Sequence, residues 1–82
     1  MTPVPACELE LLTSTVERAV EHALLGDRIE GYTILLRGLR RAQTSSAMEG
    51  EPWASELIAR YHAAVHSYCE SYGPRLGEAT NP

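Results

Sequence analysis

Three side chains that are able to bind a metal lie close together near the carboxyl end of the sequence. His62, His66 and Cys69 follow one another at spacings of four and three residues, which places them on one face of a helix. Neutral imidazole and thiolate are zinc ligands, and His22 is a candidate for a fourth position. There is no CxxC or HExxH motif to support such a site. We therefore expect no metal and no cofactor, and we keep a metal-binding or metal-sensing protein as the alternative function.

A second group of candidate binding side chains is positively charged. Arg37, Arg40 and Arg41 form a compact patch at the end of a predicted helix, where cations are favourable because the helix dipole is negative there. All seven basic residues of the chain are arginine, and the net charge is −4. An acidic chain is a poor candidate for non-specific binding to nucleic acid. We expect a solvated helix end, with an anionic partner as the other interpretation of the patch.

The sequence offers little that is typical of an enzyme. It has no glycine-rich nucleotide loop, no GxSxG motif and no pair of carboxylates at a spacing suited to acid–base catalysis. A chain of 82 residues rarely forms a pocket of several hundred Å3 alone. We therefore predict that the protein is not an enzyme.

The elements that position these residues are predicted to be helices. Apolar residues recur at helical spacing over about 6–25, 28–43 and 52–72. We predict an all-α, antiparallel three-helix bundle over residues 6–73, in which the second helix is central. Residues 1–5 and 74–82 are rich in proline, and we expect a flexible lead-in and a flexible tail.

The central stretch is Gly26–Ala42, which begins with a turn signal. Gly26 suits a left-handed position after the first helix. Asp27 and Glu30 have the spacing of a capping box, so Asp27 is the predicted N-cap of the second helix. Apolar and small residues then fill well over half of the circumference of this helix. We expect two neighbours to cover the arc formed by Ile29, Gly31, Tyr32, Ile34, Leu35, Leu36, Gly38, Leu39 and Ala42.

The same stretch resembles the second half of a tetratricopeptide repeat. The turn Gly26-Asp27 matches the inter-helix turn of that family, and Glu30-Gly31, Leu35 and Gly38-Leu39 match its positions in the helix. The likeness covers 26–42, whereas the first helix departs from the pattern. The resemblance implies a tight helical hairpin and protein binding, and no ligand-contacting residue is carried over.

Aromatic side chains are concentrated on one face of the third helix. This face exceeds what one small bundle normally needs, and tyrosine and tryptophan are enriched at interfaces. Gly31 and Gly38, seven residues apart, would allow another helix to approach closely. The predicted interface of a homodimer therefore consists of Tyr32, Trp53, Leu57, Tyr61, Tyr68 and Tyr72.

These observations predict a small, non-enzymatic protein-interaction or adaptor module. Its expected partners are a second copy of itself and another protein, with no nucleic acid and no membrane. Cys7 and Cys69 fall at opposite ends of long helices, too far apart for a disulfide, and free thiols are typical of the cytoplasm. We therefore expect a cytoplasmic protein.

Overall fold

The protein is a bundle of three α-helices. The computed structural model describes residues 3–45 and 50–72; the predicted tail at 74–82 lies outside these ranges. Helix α1 spans Ala6–Leu24, α2 spans Arg28–Thr44 and α3 spans Pro52–Tyr72, within one residue of the predicted bounds. Helix α2 packs against both neighbours, and α1 and α3 share a smaller contact. The predicted all-α bundle with a central second helix is confirmed.

The core consists of two clusters that follow each other along the bundle. The buried members from α2 and α3 are mostly large aliphatic and tyrosine side chains, while those from α1 are small. Leu9, Leu12 and Val16 of α1 pack against the clusters and are partly buried. One cluster contains Val4, Leu39, Ala42, Leu57 and Tyr61. The other, nearer the turn between α1 and α2, contains Ala19, Ala23, Ile34, Leu35 and Tyr68.

Two glycines of α2 make room for two tyrosines of α3. An ideal Cβ atom on Gly38 would lie 2.8 Å from Cε1 of Tyr61, and one on Gly31 would overlap the hydroxyl of Tyr68. The same Cβ on Gly31 would lie 2.5 Å from the carbonyl oxygen of Ala19 on α1. These separations are shorter than carbon–carbon or carbon–oxygen contact distances. The close approach predicted for the two glycines is therefore made within one chain.

The turn between α1 and α2 is a Schellman motif. The amide of Gly26 donates to the carbonyl of Ala23 at 3.0 Å, and the amide of Asp27 donates to the carbonyl of His22 at 2.8 Å. These are the two hydrogen bonds that define the motif. Gly26 has a φ of 92°, a left-handed conformation that favours glycine. The predicted left-handed Gly26 is confirmed.

The predicted capping box is wrong. Asp27 does occupy the N-cap position, but its side chain makes no hydrogen bond to the first turn of α2, all of which is described. Its Oδ2 lies 3.8 Å from Nδ1 of His22 instead. The backbone of Asp27 has a ψ of 64°, whereas an N-cap side chain reaches the helix from the β region. The hydrogen bond from the Asp27 amide to His22 in the Schellman motif holds Asp27 in a conformation from which its carboxylate does not reach the first turn of α2.

The apolar arc of α2 is narrower than predicted. Ile29 is 70% exposed and Leu36 is also exposed, because each lies about 200° around the helix from the glycine two positions later. Helices α1 and α3 both approach the glycine side, so they leave the opposite side uncovered. Two residues outside the expected core are buried: Thr15 of α1 and Val4, which lies in the predicted flexible lead-in.

Candidate functional site

The six predicted interface residues divide into a buried set and a half-buried set. Leu57 and Tyr61 are fully buried and Tyr68 is 3% exposed, so a second chain has no access to them on this fold. Tyr32, Trp53 and Tyr72 are half-buried. The ring of Tyr72 lies 5.4 Å from that of Tyr68, tilted by 44°. Tyr61 and Tyr68 therefore belong to the core of this chain, and the predicted homodimer interface stays a prediction.

Tyr68 also joins the end of α3 to the start of α2. Its hydroxyl donates to the carbonyl of Arg28 at 2.6 Å, and Nη1 of Arg28 donates to the carbonyl of Tyr72 at 3.0 Å. Burial raises the pKa of Tyr68, with the neighbouring Cys69, Asp27 and Tyr72 acting in the same direction and Arg28 acting against them. Tyr68 is thus held neutral as a hydrogen-bond donor that fixes the two helices in register.

The exposed apolar residues are concentrated at the turn between α1 and α2. Leu24 is 72% exposed, Leu25 is 82% exposed and Ile29 is 70% exposed. Leu36 lies two turns beyond Ile29 on the same side of α2 and is also exposed. We call Leu24, Leu25, Ile29 and Leu36 the hinge patch. Clustered aliphatic side chains are exposed to water at a cost in free energy, which a partner would remove by covering them. Such a patch is therefore typical of an interaction surface.

The basic residues are arranged differently from the predicted patch. Arg37 and Arg41 line a cleft of about 220 Å3 between α1 and α2, and Arg18 of α1 lines the same cleft. Arg40 does not line it and is exposed, because it lies about 60–100° around α2 from the other two. We call this the arginine cleft. Its walls also include Leu11, Thr15, Ile34, Gly38 and Tyr61.

Arg41 is the one arginine of the cleft that forms an ion pair among the described residues. Its Nη2 donates to Oε1 of Glu8 at 2.6 Å, and the carboxylate is the less exposed partner, at 17%. Burial acts to lower the pKa of Arg41, but the hydrogen bond and charge of Glu8, with the nearby Tyr61 hydroxyl acting in the same direction, outweigh it and raise the pKa above its usual value. Arg41 therefore stays charged and is held at the end of the cleft by Glu8.

Tyr61 brings a buried polar atom to the arginine cleft. Its hydroxyl is inaccessible to solvent and makes no hydrogen bond of good geometry with any described residue, although Arg41 lies close enough to interact with it. An unsatisfied buried hydroxyl costs about 1–3 kcal/mol. Thr15, by contrast, is satisfied, because its hydroxyl donates to the carbonyl of Leu11 at 2.7 Å.

The candidate metal ligands do not form a site. Within the described ranges there is no group of three or more His, Cys, Asp or Glu side chains in a metal-binding arrangement. His62 and His66 are exposed and Cys69 is half-buried, while Nε2 of His66 lies 3.4 Å from Oε2 of Glu70. The alternative prediction of a metal-binding protein therefore gains no support. Cys7 and Cys69 are both free, as predicted.

Sequence reasoning missed Arg18 as a member of the basic site. The signal was present, because Leu11, Thr15 and Arg18 follow one another at spacings of four and three residues and so share one edge of α1. The unsatisfied hydroxyl of Tyr61 had no such signal, since the partners of a buried atom depend on the packing of all three helices.

Comparison of the chain with family models, curated proteins and solved structures gives no match. The resemblance to a tetratricopeptide hairpin therefore stays a prediction. Over residues 3–45 and 50–72, no helix is long and apolar enough to cross a membrane.

Proposed function

We propose that the protein is a non-enzymatic helical interaction module whose first partner is a second copy of itself. The observation that carries the proposal is the hinge patch, in which Leu24, Leu25 and Ile29 are each more than two-thirds exposed. Burying one such side chain contributes about 1.5–3 kcal/mol. A chain with a small core gains proportionally more from such burial than a large one does.

The distribution of charge along α2 supports self-association over an unrelated partner. Asp27 and Glu30 outnumber the one basic residue, Arg28, near the start of α2, and Arg37 and Arg40 lie near its end. In a two-fold interface the same patch serves both chains. Two α2 helices that pair antiparallel through Ile29 and Leu36 would bring the acidic start of each near the basic end of the other. Opposite charges across the rim would favour that orientation.

The size of the hinge patch supports a reversible dimer. A standard interface buries about 800 Å2 on each partner. The four aliphatic side chains of the hinge patch supply less area than this without their polar neighbours, so we expect weak, reversible association. The half-buried Tyr32 lies three residues after Ile29 on α2 and would add to the apolar area of the proposed interface. We retain the cytoplasm as the proposed location, in keeping with the two free thiols.

The proposal is tested by substituting Ile29→Asp and measuring mass by sedimentation velocity from about 10 μM to 1 mM. Since Ile29 is 70% exposed, we expect the variant to keep its helicity by circular dichroism and to stay a monomer when the wild type dimerises. The dissociation constant should rise by at least tenfold, which corresponds to about 1.4 kcal/mol.

The matched control is Ala63→Asp, which adds the same charge to an exposed position on the outer side of α3. This variant should dimerise as the wild type does. A wild-type chain that stays monomeric at 1 mM, or an Ile29→Asp variant that dimerises normally, would contradict the proposal.

A further inference from the structure

The arginine cleft brings positive charge from two helices to one place. Arg18 comes from α1, and Arg37 and Arg41 come from α2. Like charges repel one another at short distance. Of the three arginines of the cleft, only Arg41 has an ion-pair partner among the described residues, and that partner is Glu8. Counting the three arginines and this one carboxylate leaves a formal charge of about +2 at the cleft. A net-acidic protein thus holds a local site that favours anions.

Tyr61 is a second, independent indication of a ligand. It is fully buried, it lines the cleft, and its hydroxyl makes no hydrogen bond of good geometry in the described part of the chain, although the Arg41 guanidinium lies close to it. Buried hydroxyl groups are normally satisfied, so an unsatisfied one is a candidate contact for a bound molecule. An oxyanion held by Arg41 at this end of the cleft would give the hydroxyl an acceptor.

The shape and lining of the cleft restrict the class of anion. Its volume of about 220 Å3 equals that of roughly seven water molecules. Leu11 and Ile34 give it an apolar wall beside the arginines, which an inorganic ion would leave uncovered. The ligand should therefore carry a charged head and a small apolar group.

We propose that the arginine cleft binds a small organic phosphate monoester. A phosphate monoester carries about two negative charges at pH 7 and three acceptor oxygens, which match the charge of the cleft and its three guanidinium groups. A carboxylate has one charge and two oxygens, so it would leave one arginine unpaired. Arginine binds phosphate oxygens in a bidentate manner, and the apolar wall would receive the organic substituent.

Titration calorimetry with phenyl phosphate tests this assignment on the full chain. We expect saturable binding, at least tenfold weaker binding of benzoate, and binding of inorganic phosphate that is weaker than that of phenyl phosphate. Benzoate should bind more weakly because its head group has less charge and fewer oxygens, and inorganic phosphate should bind more weakly because it leaves the apolar wall uncovered. Binding of benzoate as tight as that of phenyl phosphate would overturn the assignment to a phosphate ester.

Arginine variants separate a defined site from general electrostatic attraction. Arg37→Gln and Arg18→Gln should each weaken the binding of phenyl phosphate by at least tenfold. Arg40→Gln removes the same charge from the same helix outside the cleft, so its affinity should stay within about twofold of the wild type. Equal losses in Arg37→Gln and Arg40→Gln, or no saturable binding by the wild type, would overturn the proposal.

Tyr61→Phe supplies a measurement that a purely structural role would not produce. Because the hydroxyl has no partner to lose, the variant should be at least as stable as the wild type towards urea. Its affinity for phenyl phosphate should nevertheless fall several-fold. Unchanged affinity in a folded Tyr61→Phe variant would remove the hydroxyl from the site and contradict the inference. Tyr61→Phe and Arg18→Gln change no residue of the hinge patch or of its charged rim, so their results do not depend on the proposed dimer. Arg37 and Arg40 belong to that rim, so Arg37→Gln and Arg40→Gln are compared with the wild type at a concentration at which sedimentation velocity shows all three to be monomeric.

Discussion

Tyr61 and Tyr68 are two buried tyrosines, seven residues apart on α3, with opposite hydrogen-bonding states. The hydroxyl of Tyr68 donates to the carbonyl of Arg28 at 2.6 Å, whereas the hydroxyl of Tyr61 has no partner among the described residues. The first hydroxyl therefore stabilises the fold, at about 0.5–1.5 kcal/mol for a typical hydrogen bond. The second gains no such stabilisation and costs about 1–3 kcal/mol as a buried hydroxyl without a good hydrogen bond, and this is why we propose a binding role for it.

The raised pKa of Tyr68 predicts a loss of stability at alkaline pH. In the unfolded chain this tyrosine ionises near its usual pKa of about 10, while burial raises the pKa in the folded chain. A raised pKa gives a contribution that is complete below pH 10 and disappears as the pH rises through the folded pKa. Tyr68→Phe should be about 1 kcal/mol less stable than the wild type at pH 8.

The difference between these two proteins should shrink above pH 10, because phenylalanine has no proton to lose. Urea unfolding at pH 8, 9, 10 and 11 measures it, with circular dichroism confirming that both proteins start folded. A difference that stays constant over this range would show that Tyr68 ionises equally in the folded and unfolded states.

At the scale of the elements, α2 is organised by Gly31 and Gly38. Each glycine costs about 1 kcal/mol relative to alanine in helix propensity, and each admits a tyrosine ring or hydroxyl that a Cβ atom would displace. The two glycines bring α1 and α3 to the same side of α2. This choice of side leaves Ile29 and Leu36 exposed and so creates part of the hinge patch.

Gly31→Ala should destabilise the protein by about 1–3 kcal/mol despite the better helix propensity of alanine. The new methyl group would meet the hydroxyl of Tyr68 and, at 2.5 Å, the backbone carbonyl of Ala19. A backbone carbonyl cannot rotate away, so α1 and α2 must separate. Urea unfolding should show a lower midpoint for this variant.

Gly38→Ala is the matched comparison within the same helix. There the nearest atom is Cε1 of the Tyr61 ring at 2.8 Å, with a methyl group of Thr15 at 3.4 Å. Both are side-chain atoms that can shift, so Gly38→Ala should cost less than Gly31→Ala. The reverse order, or a stabilised Gly31→Ala, would show that the helices are less closely packed at Gly31 than the structure describes.

At the scale of the whole molecule, the two ends of the bundle differ. The end away from the turn is closed by Val4, which packs with Leu39 and Leu57 in one core cluster. The turn end exposes Leu24 and Leu25 instead. Apolar side chains are therefore exposed at the turn end, where we propose that a second chain binds, and the arginine cleft lies along the side of the bundle between α1 and α2.

Val4→Ala should lower the free energy of unfolding by about 1–2 kcal/mol, because it removes two buried methyl groups. Val4 is 7% exposed although it precedes the first helix. Pro3→Ala, at the exposed neighbouring position, should change stability by less than about 0.5 kcal/mol. Thermal or urea unfolding of the two variants measures the difference. Equal stability of Val4→Ala and the wild type would place the lead-in outside the core.

The sequence by itself determined the helices and the left-handed turn. Periodicity located all three helices within one residue, and Gly26 adopts the predicted positive φ, since both depend on interactions within a few residues. Tertiary structure decided the rest. The approach of α1 and α3 to Gly31 and Gly38 decides which side of α2 is covered. It also decides that Tyr61 is buried and that Arg18 lines the cleft. A single helix presents Ile29 and Ile34 as equally apolar, and only the position of its neighbours leaves the first exposed and the second buried.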